Sequence, residues 1–194
     1  APGKSRTCNP GPMATAAPSS TFSRWTRDVL WSETVHRFYA ARIPDMPDCV
    51  ADAEIRPATA ADASQIAIAF PHVPFDQRLA LGDLCWVAYI GGRIAHQTWT
   101  STTRAFIPQV RYERRLAPDE VYFYDCVTVP DMRGRGLYPA AVVMSARRHL
   151  PLGRTRAVLG ILRDNEPSIR GAAKAGFVAE FDHVFRKCLG LCWQ

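Results

Sequence analysis

The chain has 194 residues, a length that favours one domain with an extension. Apolar residues make up 47% of it, enough for a packed core, yet no apolar run is long enough to suggest a transmembrane helix. The formal charge of +6 suits an anionic partner, whether nucleic acid, an acidic membrane surface or a phosphate-rich cofactor.

Residues 1–20 are rich in Pro, Ala, Ser and Gly and read as a disordered tail without the basic and apolar regions of a secretory signal. Residues 21–50 read as an N-terminal helical extension. From Phe22 to Ala41, Trp31, Val35 and Phe38 fall at i, i+4 and i+7, with Trp25 and Val29 one turn earlier. Such a stripe usually packs on a core, and here it could also join two copies as a homodimer. Pro44, Pro47 and Asp48 end the pattern.

Residues 51–194 read as an α/β domain. Glu54 to Pro57 is a short strand, and Thr59 to Phe70 a helix with Thr59 as N-cap. Leu84 to Ile90 and Arg93 to Ser101 are strands joined by a tight turn at Gly91 and Gly92. Trp86, His96 and Trp99 lie on this hairpin, and alternation puts His96 and Trp99 on opposite faces. Arg104, Arg111, Arg114 and Arg115 flank a basic loop, either solvated or in contact with an acidic acceptor or with phosphates. Val121 to Val129 is a β-branched and aromatic strand, with Glu120 at its start in a solvated turn. Pro139 to Leu150 is a helix, Thr155 to Leu162 a strand, Glu166 to Ala175 a helix ended by Gly176, and Phe177 to Arg186 a last strand. This order implies a mixed sheet with helices on its faces.

The six cysteines show no paired CxxC spacing, which argues against a zinc site. Reduced thiols in a cytoplasmic protein are the plain reading, with a Cys188–Cys192 disulfide as the alternative.

The chemistry concentrates in Asp125-Cys126-Val127-Thr128-Val129-Pro130-Asp131-Met132-Arg133-Gly134-Arg135-Gly136-Leu137-Tyr138. A strand ends, a glycine-bearing loop follows and a helix begins. Unpaired amides at a helix start carry partial positive charge, and glycines let a ligand approach the backbone. Arg133 and Arg135 add charge-assisted bonds to phosphate oxygens. The Gly-Lys-Ser/Thr ending of a P-loop and the third glycine of a dinucleotide fingerprint are both missing.

The stretch resembles the pyrophosphate loop of the GNAT acyltransferase superfamily, whose consensus is Gln/Arg-x-x-Gly-x-Gly/Ala after a strand. Asp131 in the first position is a departure, whereas Arg133-Gly134-x-Gly136 is a common variant. Asn165 after the next strand and Gly176-Phe177 after the next helix extend the resemblance to about residues 54–186. It implies a largely antiparallel GNAT-like sheet with helices on both faces. It also implies transfer of an acyl group, most simply acetyl from acetyl-CoA, to a primary amine by direct attack, without a metal. Cofactor contacts would fall to Val127, Val129, Arg133, Gly134, Arg135, Gly136, Leu137, Asn165 and Ser168.

By the same resemblance, the Val129 N–H would bind the thioester oxygen. Asp125 is the candidate base, since in an unbulged strand it shares a face with Phe123 and Val127, where an apolar setting would raise its pKa. Many GNAT enzymes carry an acidic Tyr four residues before the Gly-Phe pair; here that position is Ala172, leaving Tyr124 and Tyr138 as replacements. Direct transfer needs no Cys126 nucleophile. The main alternative is a non-catalytic acyl-CoA-binding regulatory module on the same fold. A nucleic-acid binder ranks last, as no RNP motif, zinc finger or basic zipper is present.

Overall fold

The computed structural model describes residues 31–188 and 191–193. These divide into a main unit, 33–185, and a small one in which the end of β9 (Val178–Cys188) forms an antiparallel hairpin with β10 (Leu191–Trp193). The expectations for residues 1–20 and 22–30 lie outside the described residues.

The main unit is built on a seven-stranded sheet in the order β9-β1-β8-β7-β4-β3-β2. Its strands are β1 (Trp31–Arg42), β2 (Glu54–Pro57), β3 (Leu84–Ile90), β4 (Arg93–Ser101), β7 (Glu120–Thr128), β8 (Arg156–Leu162) and β9. The pairs β1–β8, β2–β3, β3–β4 and β4–β7 are antiparallel, and β7–β8 is parallel. A separate hairpin, β5 (Arg104–Ile107) with β6 (Tyr112–Arg115), fills the predicted basic loop.

β1 corrects the predicted helix. Residues 31–42 are extended, and from Val35 to Ala41 every residue except Arg37 is buried. A strand in the interior of a sheet with both faces covered is apolar in nearly every position, so period-2 alternation vanishes and a chance i, i+4, i+7 spacing survives.

The remaining elements follow local rules. The Gly91-Gly92 turn takes positive φ at both residues, 56° and 76°, as a two-residue hairpin requires. Thr59 and Asp62 form a capping box before helix α1 (Ala63–Ala69), and Asp62 also binds Arg56 and the Tyr89 hydroxyl. Helix α2 (Phe75–Ala80), unpredicted from sequence, is short and follows Pro74. Helices α3 (Leu137–His149) and α4 (Glu166–Lys174) cover one face. There Val142, Val143, Ala146 and Ala172 pack on Phe123, Leu159 and Phe177. On the opposite face Ile66, Phe70 and Phe75 of the α1–α2 region pack on Trp99, Cys85 and Val87. Each fully buried large apolar side chain contributes roughly 1.5–3 kcal/mol. Trp86, His96 and Trp99 are all buried, and none lines either of the two cavities described below.

Candidate functional site

Strand β7 departs from regularity where the chemistry was expected. Gln97 stands opposite Val127 and Trp99 opposite Tyr124, so Asp125 and Cys126 share the single partner Thr98. This is a β-bulge, and Asp125 sits in it with φ 44°. The bulge flips the alternation. Cys126, not Asp125, returns to the cluster that holds Val121 and Phe123, and Asp125 is exposed. The expectation that Asp125 lies in an apolar setting beside Phe123 and Val127 is therefore overturned.

The parallel ladder of β7 with β8 runs from Glu120↔Arg156 to Phe123↔Leu159. Beyond it the strands part. The Val129 N–H donates to the Ala95 carbonyl at 3.0 Å, so it is engaged in the sheet and cannot be the expected thioester donor. Antiparallel ladders alternate direction, so Val127 faces β4 as Val129 does. The Cys126 and Thr128 amides then face the other edge, towards the gap that opens beside β8.

The loop after β7 feeds α3. Gly134 and Gly136 take φ 80° and 73°, the left-handed region that side chains other than glycine disfavour. A Cβ on Gly134 would meet nothing within 4 Å, so its backbone is open to a ligand. The Arg133 amide reaches the Pro130 carbonyl, and the Ala140 amide reaches Gly136. The N–H groups between them belong to the loop and the first helical turn, where intrahelical acceptors run out. Leu137 is buried and anchors the helix start, while Arg133 and Arg135 are exposed beside it. Arg133 Nε donates to the Thr128 carbonyl at 3.4 Å. This donor set, with two guanidinium groups, fits a diphosphate.

Two cavities flank the gap. A narrow one of about 200 Å³ is lined by Cys126, Val127, Tyr138, Asn165 and Ser168 among others. Val127 and Tyr138 bracket the glycine loop in sequence. Asn165 Oδ1 accepts from the Ser168 amide at 3.3 Å, so Asn165 caps α4 and lines the cleft at once. A wider cavity of about 790 Å³ opens among α2, the β5–β6 hairpin and β7. Five residues line both: His36, Tyr124, Asp125, Gly160 and Leu162.

Charge at this junction is largely paired. Asp125 binds Arg78, and Tyr124 donates its hydroxyl proton to Asp83 at 2.5 Å. Burial and then that hydrogen bond push the Tyr124 pKa well up, so Tyr124 is a poor acid. Burial first, and then Cys126 and Tyr39, raise the pKa of Tyr138, which packs against Gly171. Burial pushes the Cys126 thiol up to about 12, which opposes a thiolate nucleophile. Ala172 is buried in the core. Arg104 lines the wider cavity and pairs with Glu113.

Glu120 is not in a solvated turn. It is 6% exposed and bonded to Arg114, Arg156 and the Ala117 amide. Burial opposes its charge, but these donors prevail and hold its pKa down to about 2. Sequence reasoning missed His36 altogether, because the helix expected over that stretch hid the strand that brings it to the junction. Cys188 is a free thiol. Among the described residues no helix is long and apolar enough to cross a membrane.

Neither a family model nor a curated protein matches the sequence. Solved structures do. A GNAT-family acetyltransferase from Colwellia psychrerythraea aligns at TM-score 0.57 and 10% identity, over 86% of this chain and 60% of that one. A GCN5-related N-acetyltransferase from Sphaerobacter thermophilus gives 0.58 and 15%, over 88% and 57%. AAC(6')-Iy, solved with the bisubstrate analog CoA-S-monomethyl-acetylneamine, gives 0.51 and 16%, over 65% and 90%. The chain thus spans under two thirds of the length of the first two. At such identities the likeness is one of fold, and the fold is that of the GNAT N-acetyltransferases.

Proposed function

We propose that this chain transfers an acyl group, most simply acetyl, from acyl-coenzyme A to a primary amine. The observation that carries the reading is the meeting of two cavities at the gap between β7 and β8. One, lined by Val127, Tyr138, Asn165 and Ser168 among others, suits the pantetheine arm; the other is wide enough for an acceptor. Direct attack needs donor and acceptor to meet at one point, and the shared residues supply it.

Acyl-CoA bound there would supply the activated acyl group. The chain's own residues do the rest. The amides from Gly134 to Leu137, with Arg133 and Arg135, hold the diphosphate. Asn165 and Ser168, which line the narrow cleft, would contact the pantetheine. With Val129 engaged by Ala95, the Cys126 and Thr128 amides become the donors for the thioester oxygen. Asp125 Oδ2 is taken by Arg78, which leaves Oδ1 to attract an ammonium group.

Ala172 at the usual acid position and the engaged Tyr124 keep a second reading in play, an acyl-CoA-binding module without turnover. Calorimetric titration with acetyl-CoA tests the shared premise, and native mass spectrometry can detect co-purified coenzyme A. Release of free thiol that depends on an added primary amine separates enzyme from module. No heat of binding with a folded chain would overturn both.

A further inference from the structure

We propose that His36 is the residue that takes the proton from the attacking amine. The proposal rests on the acyl-transfer reading above and assigns the base within it. His36 stands on β1 opposite Leu162 of β8, and it lines both the narrow cleft and the wide cavity. It is 7% exposed, and its Nδ1 is buried without a hydrogen-bond partner. Nε2 is then the nitrogen through which the ring meets the space it lines.

The other candidates are occupied. Asp125 is tied to Arg78, and Asp83 accepts from Tyr124. His96 has both ring nitrogens bonded, to Thr128 and Thr98. His149 is buried away from either cavity.

Charge around the ring also matters. Burial first, and then His183 on β9, hold the His36 pKa below its ordinary value, while Asp164 beyond β8 opposes them. The wide cavity adds Arg78, Asp83, Arg104 and Asp125, each in a hydrogen-bonded or ionic pair. A neutral imidazole accepts a proton, whereas an imidazolium cannot.

The step balances as follows. The acceptor's ammonium group gives one proton to Nε2, and the freed lone pair forms the C–N bond at the thioester carbonyl carbon. The C–S bond breaks, sulfur keeps the bonding pair, and it leaves as the thiol with the second amine proton. The imidazolium returns its proton to water, so each turnover releases one proton.

The test combines turnover, binding and titration. His36→Gln and His36→Asn are assayed with acetyl-CoA and a panel of primary amines, with thiol release as the signal. Both are expected to lose on the order of 10²–10⁴-fold in kcat/KM. Their acetyl-CoA affinity should stay within about twofold of wild type, as a uniform change in binding is not the loss in question. The acidic limb of the wild-type kcat/KM profile should vanish. Independently of activity, NMR titration of the histidine ring resonances, assigned by loss of one signal in His36→Gln, should give a midpoint below the ordinary histidine value of 6.5.

A variant that binds acetyl-CoA and turns over within about threefold of wild type overturns the proposal, since general-base catalysis is worth far more. So does a His36 ring that is charged at pH 7. Wild type that fails to bind acetyl-CoA overturns the acyl-transfer reading itself, and this assignment with it.

Discussion

Asp125 Oδ2 lies 2.5 Å from Nη2 of Arg78, an ion pair that joins the bulge of β7 to helix α2 at the mouth of the wider cavity. The guanidinium also sits 5.0 Å from the Trp99 ring and 4.9 Å from the Tyr124 ring. Rings and carboxylate together fix Arg78, and Arg78 fixes Asp125. A carboxylate held in this way is suited to orient a cation rather than to accept a proton. Asp125→Asn should therefore raise the KM for the amine about fivefold, near 1 kcal/mol, with acetyl-CoA affinity unchanged. Asparagine tolerates the left-handed backbone at this position, so the fold should survive. Steady-state kinetics with the amine varied would check this; a collapse of kcat with KM intact would instead make Asp125 the base.

The diphosphate cradle predicts a second outcome. Gly134→Asp puts a carboxylate where the amides and arginines invite an anion, and should weaken acetyl-CoA binding by at least about tenfold, or 1.4 kcal/mol. Backbone strain at φ 80° complicates the comparison, so Gly153→Asp serves as control at φ 78° in the turn after α3. It should show similar strain and normal affinity by calorimetry. Equal losses at both positions would trace the effect to stability, not to the cradle.

A third prediction concerns Tyr138 and Gly171. A Cβ on Gly171 would clash with Cδ1 and Cε1 of the Tyr138 ring. The ring is partly buried against the core and lines the cleft, so it can yield only towards that space. Gly171→Ala should cost roughly 1–3 kcal/mol, as overpacking does. Tyr138→Leu should restore part of that loss in the double variant, giving a coupling energy of about 0.5 kcal/mol or more in denaturant unfolding. Additive effects would mean that the contact is slack.

These contacts also mark where sequence reading stops. The hairpin of β3 and β4 was legible to the residue because Gly91-Gly92 is a local signal flanked by β-branched and aromatic runs. The loop into α3 was legible because helix starts and glycines need no tertiary information. β1 was not, since its burial comes from β8, more than a hundred residues away in sequence. With β1 misread, His36 could not be placed. The bulge was equally hidden. Its positive φ falls on Asp125 rather than on a glycine, and only the register against β4 reveals it. The β5–β6 hairpin was read as a loop because its arginines looked solvated, whereas Arg114 turns inward to Glu120.

That inward turn sets the last prediction, on acid stability. Glu120 has its pKa held down to about 2 in the folded chain, against an ordinary value of 4.5. The unfolded chain therefore binds its proton first as pH falls. The stabilisation is complete above the unfolded value and is lost as pH drops from 4.5 towards 2. Asp62, held well below its ordinary value mainly by Arg56, adds to the same acid loss. Glu120→Gln keeps the shape and removes the charge, leaving Arg114 and Arg156 without their shared partner. It should cost roughly 3 kcal/mol at pH 7, as breaking a buried ion pair does. The gap between wild type and variant should then close on acidification, because a protonated Glu120 is no longer distinguishable in charge from glutamine. Urea unfolding at neutral pH and near pH 3 measures both points. A gap that does not narrow with acid would mean that Glu120 stabilises by packing, and that the charge network joining β6, β7 and β8 contributes little.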